Sequence, residues 1–153
     1  MEEWQSARSK AGKLIGRLDT RERILVLAAL YWGEGTKREL NLVNGDPELL
    51  RVFVECLLSL GVKREDLLFS LRLFEDIESS KARRYWVRVF RVTSDCIRIG
   101  ERSTGKTKGR FQYGMCRIRV KKSARYFKLI IAVIESLKIQ IRPRSSMDRT
   151  AAS

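Results

Sequence analysis

From Ile24 to Trp32 every residue is apolar, and the run closes as LAALYWGEG, with Glu34 held between Gly33 and Gly35. A helix that is hydrophobic all round must be covered on every side, which constrains what the rest of the chain can build. A single sheet covers one side only. Ala28 and Ala29 are small enough for another helix to approach closely, so the economical partner is a copy of the same helix across a two-fold axis. Leu27, Ala28, Ala29, Tyr31 and Trp32 then form the seam, and Glu34 of each chain lies beside the axis. Carboxylates brought that close repel unless a divalent cation bridges them. The sequence therefore predicts a site shared between chains, with Mg2+ or another hard cation held by Glu34 and the backbone at Gly33.

The remaining composition supports chemistry of that kind. The 153 residues suffice for one domain, and 32 Lys and Arg against 18 acids give a net charge of +14. A bias this large points first to nucleic acid and second to an anionic membrane surface. The longest apolar run falls well short of the ~20 residues that cross a bilayer. Met1-Glu2-Glu3-Trp4 is acidic where a signal peptide is basic, so an intracellular, nucleoid-associated location in the cytoplasm is expected. There is no histidine. Histidine-based triads and metal sites are thereby excluded, leaving carboxylates, lysines and a hard metal for any catalysis. Cys56, Cys96 and Cys116 have no metal-ligand spacing and read as buried free thiols.

Helical spacing marks 1–18 as an amphipathic helix, with Trp4, Ala7, Ala11, Leu14, Ile15 and Leu18 packed on the domain and Arg8, Lys10, Lys13 and Arg17 outward. A domain over 19–141 and a polar tail over 142–153 follow. Asp19 and Glu22 form a capping box for the apolar helix, which stops at Gly33 or Gly35. A strand over 39–44 precedes a helix that starts at Asp46-Pro47 and closes at Gly61. A strand over 67–75 and a helix over 77–90 come next. Strands over 96–100 and 114–122 read as a hairpin around a flexible basic loop, and the last helix spans 124–138. In the second hairpin strand Arg117, Arg119 and Lys121 share one face, opposite Cys116, Ile118 and Val120. One face of the sheet is thus core and the other a basic stripe.

Residues 100–107, GERSTGKT, match the letters of a phosphate loop. That loop needs a helix behind it, whose N-terminal amides complete the phosphate site. Here a strand follows, so no nucleotide cofactor is expected. Arg102, Lys106, Lys108 and Arg110 instead suit contact with a nucleic-acid backbone.

LAALYWGEG resembles the signature helix of the LAGLIDADG homing endonucleases: Leu27, Ala28, Leu30 and Gly35 are identical, and Glu34 stands at the position of the catalytic acid. The resemblance implies a mixed α/β fold of the α+β class, with an antiparallel, saddle-shaped sheet packed on helices and a homodimer through the motif helix. It also implies Mg2+-dependent cleavage of both strands of double-stranded DNA, assisted by basic residues near the sheet's end. Lys121 and Lys122 are the closest matches to those. Lys37, Arg38, Asn41, Asn44, Arg72, Arg98, Arg117 and Arg119 join the loop residues as DNA-binding candidates. The family's usual subunit runs helix, two strands, helix, two strands, helix, whereas here a helix (77–90) is inserted between later strands. Relatives without their acids act as DNA-binding regulators or RNA maturases, which is the alternative reading.

The tail RSSMDRTAAS can be encoded by codons matching the conserved arm of a tRNA gene. That reading makes an uninterrupted tRNA gene the expected target. Other serine and arginine codons at 145–149 would refute it.

Overall fold

The structure is a computed structural model, and it describes residues 1–143; the stretch RSSMDRTAAS, on which the tRNA-gene expectation rests, lies outside the described residues. Five helices and four strands follow in the order α1 (Glu2–Ile15), α2 (Thr20–Glu34), β1 (Asn41–Asn44), α3 (Pro47–Leu60), β2 (Leu67–Phe74), α4 (Ser79–Phe90), β3 (Ile97–Ser103), β4 (Met115–Val120) and α5 (Ala124–Ile141). Local chemistry sets several boundaries as expected. Asp19 and Glu22 exchange capping bonds at 2.8 Å each, and Asp46 caps α3 through the amides of Glu48 and Leu49. Gly61 closes α3 in the left-handed conformation.

The sheet order is β1-β4-β2-β3, with β1/β4 and β4/β2 antiparallel and β2/β3 parallel. This overturns two expectations. The sheet is mixed and not purely antiparallel, and β3 and β4 are not a hairpin, because β2 lies between them. The reason is α4: a helix between two strands returns the chain to the same end of the sheet, so β3 must run parallel to β2.

Along β2 burial alternates strictly, with Leu67, Phe69, Leu71 and Leu73 inward and Leu68, Ser70, Arg72 and Phe74 outward. Cys116, Ile118 and Val120 of β4 join the inward set. The inward face meets the helices in one continuous core that includes Leu27, Phe53, Leu57, Trp86, Phe90 and Ile130. Phe90 of α4 packs on Phe69 with ring centroids 4.6 Å apart, and the Trp86 indole N–H donates to the Tyr113 carbonyl at 2.9 Å. Of the cysteines, Cys56 and Cys116 are buried, and burial pushes both thiols up, Cys116 strongly. Cys96 is exposed, against expectation, because it lies in the turn before β3.

The helices meet differently from the sequence expectation. α3 and α5 flank α2 and bury Leu27, Ala28 and Tyr31 inside the chain. These three, assigned from sequence to a seam between chains, are core side chains here. The outward stripe of α2 is Leu25, Ala29 and Trp32, with Trp32 53% exposed. No residue of α1 is buried, so it does not pack on the domain as an amphipathic helix should. Among the described residues no helix is long and apolar enough to cross a membrane.

Candidate nucleic-acid interface and the Glu34 site

Gly33 is inside α2, and the helix stops at Gly35. Gly35 adopts extended backbone and pairs across Leu42, and a side chain there would collide with the Tyr31 ring. Tyr31 accounts for the tightness. Its ring stacks on Phe53 and meets Phe127 edge-on, and its hydroxyl donates to the carbonyls of Thr36 (2.5 Å) and Glu39 (2.6 Å). Burial pushes the pKa of this phenol above its usual value. The chain is thereby folded back sharply, and Glu34 comes to the exposed helix end beside β1.

There the Asn44 side-chain amide donates to the Glu34 carboxylate at 3.3 Å, while the Asn44 oxygen accepts the Asp46 N–H at 2.9 Å. Asn44 therefore links the acid to the start of α3. The next residue, Gly45, lies under the Phe111 ring, where any Cβ would overlap it. That contact brings the basic β3–β4 loop to the Glu34 end of the sheet. The loop is also tied at Asp76, which accepts the N–H and hydroxyl of Thr107 at 3.2 and 3.0 Å. Lys108 and Gly109 both have positive φ, and Arg110 N–H closes the turn on the Thr107 carbonyl at 3.0 Å. This is the geometry of a tight two-residue turn. Lys106, Lys108 and Arg110 thus stand on an anchored finger, where a flexible loop was expected.

Lys121 and Lys122 are elsewhere. Asn44 pairs with Cys116 at the start of β4, while Lys121 follows its end, about 16 Å further at ~3.3 Å per strand residue. Lys121 is held there through its N–H to the Asp66 carbonyl and its ammonium to the Glu65 carbonyl. Lys37 and Arg38 share that far end, in the turn between α2 and β1. Within one chain the Phe111–Gly45 contact sets the base of the finger, and not Lys121, beside the strand end that carries Asn44. No sequence signal marks this, because the Phe111–Gly45 contact joins residues far apart in the chain.

The outward sheet face carries Arg72, Arg98, Arg117 and Arg119, as the basic stripe predicts, with Asn41 beside Arg119. Two acids interrupt it. Glu39 accepts from Arg119 at 3.0 Å, and Glu101 bridges Arg72 (2.5 Å) and Arg117 (3.3 Å). Arg102 is not on this face. The register slips after Leu71, which pairs with Ile99, so that Arg72 meets Glu101 and Arg102 turns toward the helices. Its guanidinium binds the Ile77 carbonyl and the Ser79 hydroxyl. The phosphate-loop letters fall on β3 and the finger, and the next element is β4, not a helix.

As a metal site one chain is incomplete. Mg2+ takes about six oxygen ligands, and Glu34 brings one carboxylate to the helix end. Among the described residues no group of three or more His, Cys, Asp or Glu could hold a metal ion. A cation at Glu34 would need oxygens from a second chain, from phosphate or from water. Compared with known proteins, the chain matches no family model, no curated protein and no solved structure.

Proposed function

We propose that the chain is a site-specific, Mg2+-dependent double-strand DNA endonuclease of the LAGLIDADG type, working as a two-fold homodimer. The observation that carries this reading is the position of Glu34. It is a carboxylate at the exposed end of a helix with a small, apolar outward stripe, tied by Asn44 to the strand beside a basic finger. In this reading Leu25, Ala29 and Trp32 form the seam with the partner, and Leu27, Ala28 and Tyr31 support it from behind. Gly33 has open space where a Cβ would be, so a partner backbone can approach there.

Magnesium supplies a polarised phosphate and a more acidic water at neutral pH. The chain's own groups do the rest. Glu34 from each subunit would provide the negative charge that holds the cation, with Asn44 orienting the carboxylate. Lys108 and Arg110 neutralise phosphates beside the cut. Arg72, Arg98, Arg117 and Arg119 lie along the duplex, and Lys121, Lys122, Lys37 and Arg38 contact its flanks. The target we propose is a tRNA gene, which the nucleotide sequence coding for the tail tests directly.

The decisive experiment presents the full chain with plasmid carrying candidate sites, with and without Mg2+, beside Glu34→Gln. Cleavage by the wild type, lost by at least ~100-fold in a variant that still binds, supports the nuclease. A wild type that binds tightly but never nicks with Mg2+ or Mn2+ excludes it and leaves the binding regulator or RNA maturase. Light scattering of the DNA complex reports the dimer; one chain per site would refute it.

A further inference from the structure

On the edge strand β3 simple alternation would place Arg98, Gly100 and Arg102 on the open face and turn Glu101 inward. The extra residue at Gly100 reverses this. Gly100 sits against the Ser70 hydroxyl, which would have to move for a Cβ to fit, so glycine suits the bulge at this place. Bulges of this kind re-aim side chains. Here the result is a carboxylate set into a row of arginines. One Glu101 oxygen takes the Nε and terminal nitrogen of Arg72 at 2.7 and 2.5 Å, and the other takes Arg117 at 3.3 Å. Arg117 Nε is buried and has no partner among the described residues. The carboxylate occupies the Nε side of Arg72, which leaves the guanidinium's far end for another acceptor pair.

A carboxylate in this place is costly if the face only grips phosphate, because it cancels one positive charge and repels the backbone. It is useful if the arginines must be held at fixed angles. Arginine reads guanine through two parallel bonds to O6 and N7, which demands a fixed guanidinium plane. We propose that Glu101 is a positioning residue that holds Arg72 and Arg117 as a rigid pair for reading guanine edges in the major groove. This rests on the DNA-binding reading above and assigns sequence discrimination to the β2–β3–β4 part of the sheet.

The test is selection of bound duplexes from a randomised pool, using wild type, Glu101→Gln and Arg72→Lys, with affinities measured across a salt series. For Glu101→Gln we expect equal or tighter binding to non-cognate duplex and a log–log salt slope steeper by up to about 1. Preference for guanine at one or two positions should fall by about tenfold or more. Arg72→Lys keeps the charge but not the fork, and should lose preference at the same positions with an unchanged salt slope. If both variants keep the wild-type base preferences, Glu101 does not position these arginines and the proposal fails. If the wild type binds duplex without any base preference, the proposal fails while DNA binding stands. If it does not bind duplex DNA at all, both fail.

Discussion

Two stretches of the chain, Pro47–Phe74 and Ser79–Ser103, are built on one local plan. In each, a helix ends on a left-handed residue, and the following valine N–H bonds back to a helix carbonyl: Val62 to Leu57 at 3.1 Å, Val92 to Val87 at 3.3 Å. A short 3-10 turn comes next, closed by Asp66 on Lys63 and by Cys96 on Thr93, and then a strand. The first unit keeps every local rule. Its left-handed residue is Gly61, and β2 is central and alternates without fault. The second places Arg91 at φ 53, where glycine costs least, and bulges its edge strand at Gly100. The first unit is scaffold, and the departures of the second are where it presents side chains. An edge strand can bulge because only one of its sides is paired.

The largest expected effect sharpens this contrast by asking whether the second unit is nevertheless bound into the common core. Trp86→Ala removes a fully buried indole and the bond to the Tyr113 carbonyl, and should cost about 3–5 kcal/mol in denaturant unfolding. A loss under ~1 kcal/mol would mean the second unit is loosely attached. Gly100→Ala should cost about 1–3 kcal/mol, since Ser70 must move or the bulge must shift. Gly33→Ala, which meets open space, should stabilise the single chain by up to ~1 kcal/mol while weakening any dimer.

A pH titration breaks the comparison from the other side, because Tyr31 packs on Phe53 of the first unit. Its phenol holds a proton more tightly folded than unfolded, so its contribution is intact below the usual pKa of 10.0 and is lost as pH rises through the raised value. Stability should therefore fall above pH 10, and Tyr31→Phe should flatten that fall while costing about 1–2 kcal/mol at neutral pH for the Thr36 carbonyl left without the phenol, the Glu39 carbonyl keeping the Thr36 hydroxyl. The smallest effect is Arg91→Gly, expected to gain about 0.5–1 kcal/mol by relieving the left-handed backbone. No gain would show that the Arg91 side chain makes up the difference.

What the sequence by itself determined is what neighbours along the chain decide. The capping pairs Asp19/Glu22 and Asp46-Pro47, the stop at Gly61, and the inward and outward sides of β4 all follow from contacts within a few residues. The +14 charge with inward apolar alternation was enough to place arginines on an open face. Strand order was beyond local reading, since nothing in β3 or β4 states that β2 will come between them. The Gly100 bulge was equally hidden, because it depends on the side chain of Ser70 across the ladder. It moved Arg102 off the face and put Glu101 on it. Which surfaces meet was hidden in the same way: α3 and α5 already bury Leu27, Ala28 and Tyr31, and Phe111 packs on Gly45 beside Asn44, at the opposite end of β4 from Lys121. Short-range hydrogen bonding is written in sequence, whereas which surfaces meet depends on where every other element has packed.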